Sequence, residues 1–348
     1  MAYCRAGFEG DLAGELDDEM QTRGFAGFAR AKAMNAWVVY ECVVPVRPET
    51  LAESIDFNDL IFARQLYFTF ARVTQLPERK RGEVLLEAVK LAAQRFGEVV
   101  LETPDTNEGK QLSGFCRRFQ GPFEALLTEA RLLRPQQKDA PVLHILFDSE
   151  DSAWLGWCLP GRANPWPMGV PRLRMPRQAP SRSTLKLAEA FMCMLSEQEL
   201  SQSIRPGARA VDIGAAPGGW TWQLVQRGLR VTAIDNGPMS AEIMATEMVE
   251  HFKTDGFTYK PARPVDWMVC DMVEQPTRIA ALAADWVGFG RCRHALFNLK
   301  LPMKRRLEAV RNCEAIIAKR LKSIGAFDLR IKHLYHDREE VTAYLRLK

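Results

Sequence analysis

The stretch Asp212-Ile-Gly-Ala-Ala-Pro-Gly-Gly-Trp220 decides the fold. It follows a short apolar run, Ala208-Arg-Ala-Val-Asp-Ile213, and precedes a helical pattern, so its glycines stand where a strand passes into a helix. A parallel sheet brings its backbone close to a ligand at such a turn. Working outward, further strand-like runs occur at 230–235, 265–270, 294–300, 327–334 and 341–347, with helical segments between the earlier ones. This alternation predicts a doubly wound α/β sheet over residues 181–348. Only the short polar turn Tyr335-His-Asp-Arg-Glu-Glu340 separates the last two runs, too little chain for a crossover, so the terminal strand must pair antiparallel.

The loop departs from the dinucleotide pattern Gly-x-Gly-x-x-Gly: Gly214 is followed by Ala215, Ala216 and Pro217 before the pair Gly218-Gly219. Asp212 and Gly214 at its start suit a ligand with no pyrophosphate. Asp235, closing the next strand, is placed to accept two ribose hydroxyls, and Asp255 to receive an adenine amino group.

Ahead of this sheet, residues 159–180 hold six prolines and the cations Arg162, Arg172, Arg174 and Arg177 without an acid, which predicts a linker at 161–180 that could also track a phosphate backbone. Residues 1–80 show a helix at 12–23 and extended runs at 36–46 and 60–73, a small α+β unit. Residues 81–160 read as a second unit, with a helix at 82–96, a strand at 98–102, the basic segment Lys110–Phe119, a helix carrying Arg131 and Arg134, and a strand at 142–147. Apolar residues make up 47% and charged residues 26%, so wholesale disorder is excluded. A net charge of +4 is compatible with nucleic acid without demonstrating it. None of the eight cysteines forms a C-x-x-C pair, and they read as free thiols of a reducing compartment. No apolar run approaches membrane-spanning length and the first residues lack a signal peptide's apolar core, which predicts a soluble cytoplasmic protein.

Lys186, Asp271, Lys300 and Glu340 fall at or near the ends of predicted elements, where such sheets place chemistry. The segments Ser181–Lys186, Asp212–Trp220, Val269–Glu274, Phe297–Lys304 and Leu334–Val341 resemble the bacterial large-subunit ribosomal RNA 2′-O-ribose methyltransferase M family, and the resemblance spans the chain. It implies a class I, Rossmann-like methyltransferase domain at 181–348, a ferredoxin-like domain at 1–80 and a THUMP RNA-binding domain at 81–160. It also implies S-adenosyl-L-methionine as cofactor, 23S rRNA, free or partly assembled, as partner, and a cytidine as target. Lys186, Asp271, Lys300 and Glu340 correspond to the family's catalytic tetrad. Cofactor contacts are implied at Ser183, Ala216, Pro217, Gly218, Gly219, Asp235, Asp255 and Asp271, beside Asp212 and Gly214.

Methyl transfer from a sulfonium to a hydroxyl requires alignment and a base. Lys300, ending an apolar run, is the expected base, with Lys186 and Glu340 orienting the ribose and Asp271 positioning Lys300. A lysine is a poor base at its usual pKa of about 10.4, but desolvation and a second ammonium lower that value while carboxylates oppose the shift. Other chemistries fit less well. Exocyclic amine methylation usually shows Asn or Asp before Pro-Pro and an aromatic, where this chain has Asp271-Met-Val-Glu274. Carbon-5 methylation of cytosine needs a cysteine nucleophile, but strand alternation turns Cys270 to the opposite face from Asp271. His333 and His336 lie in a strand-like run and make a poor metal pair. An inactive RNA-binding module would lack the lysines, and a small-metabolite methyltransferase would leave the first 160 residues without a task.

Overall fold

Met1–Pro171 and Arg172–Lys348 form two units in the computed structural model, which describes all 348 residues. In the first unit, β1 (Ala2–Tyr3), β2 (Gly27–Ala31), β3 (Trp37–Cys42) and β4 (Gln65–Leu66) build an antiparallel sheet in the order β2-β3-β1-β4. Helix α1 (Glu9–Thr22) packs on it, and α2 (Pro48–Ser54) lies in the connection after β3. A second sheet, ordered β5-β8-β7-β6, contains β5 (Phe68–Val73), β6 (Glu98–Glu102), β7 (Val142–Ser149) and β8 (Ser152–Cys158). Against it α3 (Arg81–Lys90) and α4 (Asn107–Glu129) bury Leu85, Val89, Phe123 and Leu127 in one cluster with Leu143, Ile145 and Leu155.

Several expectations for this half change. The run 60–73 is divided between the two sheets, because β5 pairs with β8. The basic segment 110–119 lies inside α4, whose first turn is capped by Thr106 accepting from the Gly109 amide at 3.0 Å. Arg131 and Arg134 are not helical: α4 stops at Glu129, Arg131 adopts φ +60°, and the Arg134 amide donates to Phe96 O at 2.8 Å. The proline-rich segment is not wholly a linker either. Gln65 donates to Asn164 O and accepts from its amide, both at 3.0 Å, and Arg162 donates to Ala52 O and Glu53 O. Residues up to Pro171 therefore belong to the first unit.

The second unit carries the sheet expected from the glycine loop. Its strands are β9 (Arg209–Ile213), β10 (Arg230–Ile234), β11 (Val249–Phe252), β12 (Val265–Cys270), β13 (Cys292–Lys300), β14 (Phe327–Lys332) and β15 (Glu340–Leu347), in the order β11-β10-β9-β12-β13-β15-β14. The first five are parallel, and β15 runs antiparallel to both β13 and β14. On one face α5 (Thr184–Met194) and α7 (Gly219–Val225) bury Leu187, Phe191, Trp220 and Leu224 with Trp267, Val269, Leu296 and Tyr344. Helix α9 (Pro276–Gly288) packs on β13, and α10 (Arg306–Leu321) packs on α9. The short helices α6 (Glu197–Ser203) and α8 (Ala241–Met244) complete the unit. No helix of the molecule is long and apolar enough to cross a membrane.

Candidate active site

Asp271 is the first residue after β12 and Lys300 the last of β13, two neighbouring parallel strands. Glu340 opens β15 directly opposite Lys300 in the antiparallel register, and Lys186 lies in the first turn of α5. The fold thus brings all four expected residues together. Lys186 Nζ lies 3.2 Å from both Asp271 carboxylate oxygens and 2.6 Å from Glu340 Oε1. Lys300 Nζ donates to Asp271 Oδ1 at 2.6 Å and to Glu340 Oε2. Each ammonium therefore touches both carboxylates, a closed ring of alternating charge.

Burial favours the neutral form of Lys300, but the charges of Asp271 and Glu340 outweigh it and hold the pKa above the usual lysine value. Burial likewise raises Glu340, but Lys300 and Lys186 overcome it and the net shift is downward. Lys300 is thus held as its ammonium and Glu340 as its carboxylate: the opposite charges win over the desolvation expected to free the amine.

Sequence patterns did not single out the support beneath this ring. Asn298, on the same strand face as Lys300, donates to Asp271 Oδ1 at 3.0 Å and accepts from Thr342 Oγ1 at 2.8 Å. Thr342, opposite Asn298 in the register, also lies 3.0 Å from the buried Asp337 carboxyl. Burial first, then Glu340 and Glu189, push the Asp337 carboxyl well above the usual range. Glu189, one turn beyond Lys186 on α5, accepts from the Tyr335 and His336 amides at 2.7 and 2.8 Å and engages His336 Nδ1 at 2.6 Å. The signals were the i, i+2 spacing of Asn298 and Lys300 and the i, i+3 spacing of Lys186 and Glu189.

Beside the ring is a cavity of about 390 Å³ whose walls include Gly214, Ala216, Asp235, Asp255 and Asp271, together with Thr254, Phe257, Met272 and Val273. Its size is that of a small-molecule site. Gly214 sits at φ +78°, and a Cβ there would come within 2.3 Å of Met272 Cγ, so glycine is required on both counts. Asp235 accepts from the Ala216 amide at 2.9 Å and from the Gly237 amide at 2.7 Å, one on each oxygen, leaving a lone pair on each. Asp255 accepts from the Phe257 amide at 2.9 Å and is otherwise exposed.

Other expected contacts lie off the wall. Pro217 follows Ala216 through a cis peptide bond. Gly218 packs on Ile243 and Met239, and Gly219 lies against the hydroxyls of Ser183 and Ser181. Asp212 is buried beneath the loop, where Oδ2 accepts from Thr221 Oγ1 at 2.6 Å while Oδ1 has no partner. Burial raises its carboxyl to about 7. The free lone pairs of Asp235 and the exposed carboxylate of Asp255, both on the cavity wall, fit a ligand that offers ribose hydroxyls and an amino group. Cys270 is fully buried, its thiol pushed up to about 12 by burial. His333 Nε2 meets Arg338 O at 3.0 Å.

A Rossmann-like sheet with an antiparallel terminal strand and a charged cluster at its carboxyl edge defines a class I methyltransferase, and residues 179–339 match the FtsJ-like methyltransferase model. Residues 1–67 match the RlmM ferredoxin-like domain, and residues 81–159 the N-terminal model of ribosomal RNA large subunit methyltransferase M. Proteins of that name from Thauera aminoaromatica and Azoarcus sp. are each 60% identical over 348 residues, covering 100% of this chain and 96% of each relative. One from Methylococcus capsulatus is 48% identical over 100% of this chain and 97% of its own length. The chain belongs to the ribosomal RNA large subunit methyltransferase M family.

Proposed function

We propose that this chain methylates a ribose 2′-hydroxyl in the large-subunit rRNA, on a cytidine of the 23S species, with S-adenosyl-L-methionine as methyl donor. The observation that carries this reading is the closed ring of Lys186, Asp271, Lys300 and Glu340 beside the cavity. Bound S-adenosyl-L-methionine supplies an electrophilic methyl group on a positively charged sulfur. Asp235 would hold its ribose, Asp255 its adenine amino group, and Asp212 to Gly219 with Ser183 and Asp271 its amino-acid end.

The protein must add alignment and a route for the hydroxyl proton. Lys300 is the base, Lys186 and Glu340 orient the ribose, and Asp271 fixes Lys300. A further cation near Asp271 and exclusion of water by RNA both weaken the hold of Lys300 on its proton, the condition under which it accepts one from the hydroxyl. Two lysines in contact with both acids speak against an inactive module. An rRNA substrate, free or partly assembled, in the cytoplasm fits the whole chain, with the segment 81–159 acting as a THUMP-type RNA grip and the exposed Arg172, Arg174, Arg177 and Lys304 of the second unit as cations of its own for phosphate.

Nucleoside analysis of large-subunit rRNA incubated with the protein and labelled cofactor tests this. The expected product is 2′-O-methylcytidine. Label confined to a base, or absent, overturns the reading.

A further inference from the structure

Val273 and Met303 are the two most exposed of the molecule's large apolar side chains, at 92% and 86% of full accessibility. Both stand beside the charged ring. Val273 lies two residues beyond Asp271 after β12, and Met303 three residues beyond Lys300 after β13. Since a residue advances at most about 3.6 Å, Val273 is within roughly 7 Å of Asp271 and Met303 within roughly 11 Å of Lys300 along the chain. The strands are hydrogen-bonded neighbours, so the two loops leave the sheet side by side. Scattered apolar residues on a surface need no explanation, but the two most exposed ones meeting at one reactive centre do.

The surroundings select the occupant. Met303 is followed by the exposed cations Lys304 and Arg305. An apolar contact next to cations suits a nucleotide, which offers a flat face and a phosphate together. Small apolar metabolites would leave the cations without use, and a free phosphate would leave Val273 and Met303 in water. Neither side chain has a flat ring, so the contact grips a base by area and is tolerant of its identity.

We propose that Val273 and Met303 form an apolar clamp on the nucleobase of the target nucleotide, turning its ribose toward the ring. The clamp rests on the ribose-methylation reading above. Met303 lies outside the cofactor cavity, whereas Val273 is part of its wall, so Met303 gives the cleaner variant. The test uses the full chain, saturating cofactor and protein-free large-subunit rRNA in single turnover. A second RNA carries an abasic ribose at the methylated position, once that position has been mapped with the native chain.

Met303→Ser is expected to lower kcat/KM on unmodified RNA about tenfold or more, the effect of one apolar contact to a substrate. Met303→Leu restores it, and the melting temperature and cofactor affinity stay as in the native chain. On abasic RNA the native chain and Met303→Ser should agree within about twofold. With cofactor saturating, Val273→Ser added to Met303→Ser should lower the rate on unmodified RNA further. An unchanged Met303→Ser rate overturns the clamp, as does a deficit of equal size on abasic RNA, which would mean that the loop grips the strand without the base. A native chain that leaves every ribose unmethylated fails differently, removing the underlying reading and the clamp with it.

Discussion

Asp235 spends one lone pair of each carboxylate oxygen on the backbone of the loop and neighbouring turn. Asp235→Ala should therefore weaken cofactor binding by about 1.5–3 kcal/mol, through loss of charged hydrogen bonds and loosening of the Ala216 amide. Calorimetry showing native affinity would count against the placement. Lys300→Ala should lower turnover by about 10² to 10⁴ with cofactor affinity nearly unchanged. Since its ammonium is held protonated, the neutral fraction grows tenfold per pH unit below its pKa. Single-turnover rates should accordingly climb from neutral into alkaline pH, and a flat profile there would remove Lys300 as base. Asp212 gives a stability signature instead. Its folded carboxyl titrates near 7 against about 3.8 when unfolded, so its contribution is intact below pH 4 and is lost as pH rises through 7. Asp212→Asn should raise the melting temperature at pH 8, by a gain on the order of 2–4 kcal/mol, and should give no such gain at pH 4.

Among the elements, strand ends deliver the chemistry and the antiparallel pair β13–β15 supports it. Asn298→Ala removes a donor to Asp271 and one of the two partners of the Thr342 hydroxyl, leaving it only Asp337, so we expect about 1–3 kcal/mol of destabilisation. A fall in kcat exceeding any change in KM should accompany it, and equal activity would show that Asp271 needs no such support. The glycine loop, four of the five parallel strands and the four ionisable residues were legible because each is a local pattern of spacing and type. Elements without such a pattern were not. β8 is buried along nearly its whole length, so Ser152-Ala-Trp-Leu-Gly-Trp-Cys158 shows no polar alternation. β11 and β2 are edge strands of four and five residues carrying charged side chains, where a turn and a strand read alike. Asn298, Thr342, Asp337 and Glu189 become a network only when strands distant in sequence are laid side by side. The balance of charge around Lys300 depends on distances that residue types do not contain.

At the scale of the whole molecule, the catalytic unit has its own sheet and core, and the first unit ends at Pro171. A chain beginning at Arg172 should fold and bind cofactor yet lose methylation of rRNA, while full-length binding to RNA should weaken steeply between 50 and 200 mM salt, by about 10³-fold or more if some six phosphates are contacted. A shortened chain that methylates the same nucleotide at full rate would take the N-terminal unit out of substrate selection. The pairing of Lys300 with Glu340 carries a consequence for how such a sequence can drift. Side chains on a strand alternate with a period of two, so slipping β15 by one residue to bring Val341 opposite Lys300 would put an apolar side chain there and turn the Glu340 carboxylate to the other side. Insertions between α9 and β13 or within the turn after α10 leave that alignment alone, whereas one residue inserted between Glu340 and Val341 moves Glu340 out of register with Lys300. The activity is thus written in residue counts as well as residue types, and a lineage can change the letters around Glu340 far more freely than it can change their number.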